Sequence, residues 1–195
     1  EAMQLGIQAF NCESLQEIFV INEMAHLHGM KASVSVRINP DIDAHTHKYV
    51  TTGLYENKFG ISNHEFDKLI EFLQKSEHID FFGLHFHIGS QITRVEEVFS
   101  LECKRVNEIV EYFENKGLTI KNINLGGGLG VDYDDPDGNP IPDFGTWFQA
   151  ISDNIIRRPD QAVHVEPGRS LVAQCASLIS RVLFVKSGET KNFLI

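Results

Sequence analysis

Short apolar runs with a period of two alternate along the chain with longer stretches whose apolar positions recur every three or four residues. The first pattern suits a half-buried strand and the second the inner stripe of a helix. Five strands are predicted, at Ile7 to Phe10, Ser33 to Ile38, Phe82 to Ile88, Ile120 to Leu125 and Val163 to Val165. Between them the spacing predicts a helix from Glu13 to His28, where Leu15, Ile18, Phe19, Ile21, Met24 and Ala25 share a face and Gly29 is the stop. A second helix is expected from Asn63, as its cap, to Ser76, with Phe66, Leu69, Ile70 and Leu73 inward, and a third from Val95 to Asn115, stopped by Gly117.

Strands joined by helices pair in parallel, which leaves an open doubly wound sheet or a (β/α) barrel. In both folds ligands bind at the carboxyl ends of the strands. Polar and glycine-rich residues fall directly after three predicted strands: His87, Gly89 and Ser90, then Gly126 to Gly128, then Glu166 to Arg169. Those three segments are expected to converge. After residue 176 the pattern changes, and Leu178 to Val185, a Ser187-Gly188-Glu189 turn and Phe193 to Ile195 read as a β-hairpin. Residues 1–176 are therefore expected to form the βα part, a partial barrel once the family resemblance given below is taken into account, and residues 177–195 the start of a β-domain. Asp132 to Asp143, with its prolines and aspartates, reads as a surface loop.

Composition narrows the function. The 195 residues include 17 Lys and Arg against 27 Asp and Glu, a net charge of -10 that repels phosphate backbones, so nucleic acid is not expected as a partner. No apolar window approaches the length of a membrane span, and no membrane partner is expected. The three cysteines, Cys12, Cys103 and Cys175, are far apart and suggest neither a disulfide framework nor a zinc ribbon. A reducing cytoplasm fits them.

Gly126, Gly127 and Gly128 leave backbone N–H groups bare of side chains, as a phosphate cradle requires, although close packing of chain segments calls for the same residues. Glu166-Pro167-Gly168-Arg169 carries two readings. Glu166 and Arg169 form an ion pair that closes the strand end, or the carboxylate holds a cationic heterocycle nitrogen while the guanidinium grips an anion. His85 and His87 share a strand face, but no Asp, Glu or Cys beside them completes a zinc site. His45 and His47 invite the same metal idea and are equally explained by a polar loop.

Taken together, the motifs resemble the fold-type III pyridoxal-phosphate decarboxylases. The resemblance rests on Gly83-Leu84-His85-Phe86-His87-Ile88-Gly89-Ser90-Gln91, Gly126-Gly127-Gly128-Leu129-Gly130 and Glu166-Pro167-Gly168-Arg169. It extends to Arg37-Ile38-Asn39-Pro40, the run from Thr46-His47 to Thr52-Gly53, Lys58-Phe59-Gly60-Ile61, and Val131-Asp132-Tyr133 ahead of Pro142-Asp143-Phe144. The branch it matches best converts meso-diaminopimelate to L-lysine and carbon dioxide. Other branches act on ornithine, lysine, arginine or carboxynorspermidine, and a related barrel family binds the cofactor without catalysis.

The resemblance implies a TIM barrel of the alanine racemase-like type joined to a β-domain, pyridoxal 5'-phosphate as cofactor, an amino acid as substrate and a homodimer sharing its active sites. His87 is then the catalytic residue stacked on the cofactor ring, with His85 mainly structural. Ser90 and Gly126 to Gly128 bind the phosphate, and Glu166 pairs with the pyridine nitrogen. Pro167 and Gly168 belong to the same cofactor-binding turn, while Arg169 binds the cofactor at the phosphate edge and reaches the substrate's distal carboxylate. Lys58 matches a family position to which no role attaches.

The chain also departs from the pattern. Members carry a Schiff-base lysine in an early strand, within a Tyr-Ala-x-Lys-Ala-Asn type segment, and nothing here matches it. Lys31 is expected at the wrong end of its strand. A Cys-Glu pair and a substrate-binding tyrosine of the C-terminal β-domain are also without a match. The chain is accordingly expected to be the central part of a longer enzyme and inactive by itself.

Overall fold

Five parallel strands lie side by side in the order in which they occur along the chain. The computed structural model describes residues 1–42, 59–135, 138 and 142–195. The strands are β1 (Phe10–Cys12), β2 (Ala32–Arg37), β3 (Ile79–His85), β4 (Asn122–Gly127) and β5 (Ala162–Glu166). The helices are α1 (Leu15–Leu27), α2 (Phe66–Lys75), α3 (Val95–Asn115), α4 (Phe144–Asn154) and the single turn α5 (Arg169–Val172). A doubly wound sheet reverses its strand order at a switch point, whereas a barrel adds each new strand on the same side. The unreversed order settles between the two, and the sheet is an arc of a (β/α) barrel.

Local chemistry sets the helix ends. Ser14 accepts a hydrogen bond from Glu17 N at 3.2 Å and starts α1. Both α1 and α3 end in a Schellman turn. Gly29 N donates to His26 O at 3.0 Å and Met30 N to Ala25 O at 2.9 Å, and Gly117 N and Leu118 N repeat the pattern on Glu114 and Phe113 at 2.9 and 3.2 Å. Gly29 and Gly117 take φ of 62° and 90°, the left-handed backbone that this turn needs and that glycine adopts without strain.

Several expected bounds move. Strand β3 begins three residues earlier than its apolar run and its pairing ends at His85 opposite Asn124, so His87 lies beyond the strand end. Strand β1 lies at Phe10–Cys12, later than the Ile7 to Phe10 run, and β4 begins and ends two residues later than expected. Asn63 is no cap: it opens a 3-10 turn, Asn63–Glu65, and the α-helix proper begins at Phe66. Helix α4 was not anticipated at all. Asp143 caps it by accepting from Thr146 N at 2.9 Å, and Trp147, Ala150 and Ile151 form its buried stripe against α3.

The alternation along the strands separates two environments. Val34, Val36, Leu84, Ile123 and Leu125 join the helix stripes in one apolar core. Asn11, Ser35, Asn122, Asn124 and His164 line a polar cavity on the other side of the sheet. Beyond the barrel arc, β6 (Val185–Ser187) and β7 (Asn192–Leu194) form an antiparallel hairpin, in the segment where the turn signals placed one. Expected positions His45, His47, the Thr46 to Gly53 run and Lys58 lie outside the described residues.

Candidate active site

The three segments marked by the sequence meet at the carboxyl end of the sheet. After β3 and β4 the chain continues the pairing: Ile92 N donates to Gly128 O at 2.8 Å, Gly130 N donates to Ile92 O at 3.0 Å, and Ile92 and Leu129 form a parallel bridge. The glycines allow this approach. A Cβ on Gly126 would overlap the Phe86 carbonyl, one on Gly127 the Glu166 carbonyl, and one on Gly128 the Gly89 carbonyl. Gly126 and Gly128 also hold φ of 68° and 102°.

His87 lies against this glycine turn, where Gly127 N donates to its Nδ1 at 3.3 Å. A ring nitrogen that accepts carries no proton, and burial, with Arg37 adding to it, pushes the imidazole below its usual value despite Glu166 and Glu13. The imidazole is therefore held neutral. Ser90 belongs to the same turn, between Gly89 and Gln91.

Glu166 ends β5 with its carboxylate about half exposed, and Oε1 accepts from Asn124 Nδ2 at 2.8 Å. His85 Nε2 lies 3.6 Å from the same oxygen. The ion pair of Glu166 with Arg169 does not form, which removes the plainer of the two readings of that motif. Gly168, at φ 50° and ψ -120°, turns the chain between them, and Ser170 Oγ donates to Pro167 O to lock the turn. Arg169 instead donates from Nη1 to Tyr133 Oη at 3.0 Å and to Gln91 Oε1 at 3.3 Å.

A further pair was not singled out from the sequence. Arg37, at the end of β2 and largely buried, donates to Glu13 Oε1 at 2.5 Å, and Glu13 Oε2 accepts from Gly60 N at 3.0 Å. The charge of Arg37 reaches both His85 and His87. The rule that marked the other segments, polar residues directly after a strand, passes over Arg37, which lies inside its predicted strand. Asn124, inside β4, carried no such signal.

No group of three or more potential metal ligands occurs among the described residues. Lys31 directly precedes β2 and so lies at the end of the sheet opposite the site. A carboxylate, a neutral imidazole and an arginine with only uncharged acceptors are together suited to an anionic, nitrogen-containing cofactor.

Residues 1–173 match the family model described as "Pyridoxal-dependent decarboxylase, pyridoxal binding domain". The chain is 47% identical over 193 residues to a diaminopimelate decarboxylase of Bacteroides thetaiotaomicron, covering 99% of this chain and 50% of that protein. It is 39% identical over 194 residues to the enzyme of the same name from Neisseria meningitidis serogroup A, covering 47% of it. Among solved structures it superimposes on Helicobacter pylori diaminopimelate decarboxylase complexed with L-lysine with a TM-score of 0.84, at 35% identity over 99% of this chain and 47% of that one. The M. jannaschii diaminopimelate decarboxylase, also in complex with L-lysine, gives 0.78 at 32% identity, over 98% and 45%. The chain thus spans about half the length of the curated relatives it matches.

Proposed function

Because the chain belongs to the pyridoxal-dependent decarboxylases, through their pyridoxal-binding domain, we propose that it forms the cofactor-binding part of an enzyme converting meso-diaminopimelate to L-lysine and carbon dioxide. Residues 1–176 supply barrel and residues 177–195 open the β-domain. When bound, pyridoxal phosphate supplies an electron sink for the carbanion left as carbon dioxide departs.

The residues of this chain have separable tasks. Glu166 is anchored at Oε1 by Asn124, so Oε2 is the atom that holds a proton on the heterocyclic nitrogen. His87, fixed at Nδ1 by Gly127, presents an uncharged ring face to the heterocycle. The phosphate is assigned to the turn from Gly126 to Gly128, with Ser90, a turn that the glycines let pack directly on the carbonyls of Phe86, Glu166 and Gly89. Arg169 takes the carboxylate at the far end of the substrate.

The observation that carries the choice of substrate is the setting of Arg169. Among the described residues no carboxylate stands within ion-pair distance of it, so its charge is left for an anion of the ligand. Diaminopimelate offers a second carboxylate there; ornithine, lysine and arginine as substrates do not. The reading is tested by measuring carbon dioxide release from each of these amino acids with the full-length enzyme and added cofactor. Release from diaminopimelate alone is expected, and preferential release from a diamine precursor would overturn the assignment.

The free thiols, one of them exposed at Cys175, support a reducing compartment, and we place the enzyme in the cytoplasm. No helix of the described residues is long and apolar enough to cross a membrane. The family resemblance supports a homodimer.

A further inference from the structure

Gln91 is held in a backbone conformation that side chains rarely adopt, with φ of 61°. Its side chain is clamped on the loop after β4. Nε2 donates to Val131 O at 2.5 Å, and Val131 N donates back to Oε1 at 3.2 Å. The same Oε1 accepts from Arg169 Nη1 at 3.3 Å. One side chain therefore ties together the turns that follow β3, β4 and β5.

The chemistry of this clamp is selective. Glutamine offers a donor and an acceptor at the distance both partners need; glutamate lacks the donor, and asparagine is one methylene shorter. Gln91 and Tyr133 are both uncharged acceptors on Nη1, and the guanidinium lies 5.8 Å from the centre of the Tyr133 ring. They orient the fork without neutralising it. The edge formed by Nε and Nη2 makes no hydrogen bond to the described residues and is the edge a carboxylate meets with two parallel bonds.

We propose that Gln91 is a positioning residue for substrate choice: clamped to Val131, it aims the open edge of Arg169 at the distal carboxylate of an amino dicarboxylate. This inference rests on the reading of Arg169 as the substrate's anchor. It predicts that Gln91 acts on ligand binding only through Arg169.

The test is a double-mutant cycle in the full-length holoenzyme with Gln91→Leu and Arg169→Leu. KM and kcat for diaminopimelate, the dissociation constant of L-lysine, which retains the distal carboxylate, and the dissociation constant of pyridoxal phosphate are measured for each variant. Gln91→Leu is expected to raise KM and the lysine constant about tenfold, the scale of one oriented charge-assisted hydrogen bond, with kcat and the cofactor constant nearly unchanged. In the Arg169→Leu background the same change should add less than about twofold, because the two residues act as one unit. Should Gln91→Leu fail to fold, Gln91→Glu keeps the size and the acceptor but neutralises the fork, and it is expected to raise the same two constants in the same dependent way. Equal fold-changes in both backgrounds, or a shift confined to the cofactor constant, would overturn the proposal. If Arg169→Leu alone leaves the lysine constant unchanged, the anchor role of Arg169 fails, and the positioning role of Gln91 fails with it.

Discussion

His85 Nε2 stands 3.6 Å from Glu166 Oε1, at the ends of β3 and β5, too far for a hydrogen bond, and neither ring nitrogen of His85 has a hydrogen-bond partner. Asn124, on the strand between them, takes the same Glu166 oxygen at 2.8 Å. Burial is the main cause that pushes the His85 imidazole below its ordinary 6.5, and it outweighs the attraction of Glu166.

That burial makes stability depend on pH. Between 6.5 and the lowered value in the folded protein, the unfolded chain binds a proton that the folded chain does not, so stability falls as pH drops through this window. It is fully present above 6.5. His85→Gln should make this part of the curve shallower, leaving the share of His87, whose imidazole is lowered by burial as well, measured as melting temperature against pH in the intact protein, and an unchanged slope would refute the assignment.

Glu166→Gln keeps the shape of the side chain and its contact with Asn124 but removes the charge proposed to hold a proton on a heterocyclic nitrogen. Turnover of the full-length enzyme should fall about hundredfold or more, since each factor of ten takes only about 1.4 kcal/mol. Cofactor affinity should change far less. The two constants are read from steady-state rates and from cofactor titration.

Gly127→Ala would press a Cβ on the Glu166 carbonyl where β4 and β5 pair. Overpacking at such a contact costs about 1–3 kcal/mol. Because the displaced strand ends carry both His87's donor and Glu166, cofactor retention should drop along with stability. Gly145→Ala, which meets nothing closer than 3.7 Å, is the control and should alter neither.

Glu102 lies fully buried in the middle of the apolar stripe of α3, and neither carboxyl oxygen has a hydrogen-bond partner. Burial raises its pKa well above 4.5. The folded chain therefore holds a proton that the unfolded chain releases, and stability falls as pH rises from 4.5 through the raised value. Glu102→Leu should remove this dependence and stabilise the protein at neutral pH by about 1–3 kcal/mol, the usual cost of an unsatisfied buried polar group. Chemical denaturation at two pH values provides the comparison.

Helix α3 was legible to the residue because Gly117 supplies its own stop, and apolar spacing fixed its inner face apart from Glu102. Strand ends were less so. Phe86 and Ile88 keep the alternating burial of a strand although the pairing has ended at His85, so periodicity overran the ladder there. Helix α4 was hidden by its aromatic and β-branched residues, which suit a strand, although Asp143 and the Trp147, Ala150 and Ile151 spacing were visible signs. The motif Glu166 to Arg169 showed the right residues but not their partners. Adjacency in sequence favours an ion pair, and only the turn at Gly168 separates the two side chains. Asn124 carried no signal, and Gln91, although part of a matching motif, had no role assigned, because their contacts depend on neighbours some 40 residues away.

The backbone bonds between Ile92 and the Gly128 to Gly130 segment carry a thermodynamic consequence. They extend the sheet's own ladder into the glycine turn, so the conformational entropy of ordering that turn is lost when the barrel folds and not when the proposed phosphate ligand arrives. Cofactor capture and folding are then linked functions. A ligand that binds only the ordered turn raises the melting temperature in proportion to the logarithm of its concentration, and a substitution that frays the turn weakens binding even when it touches no ligand atom.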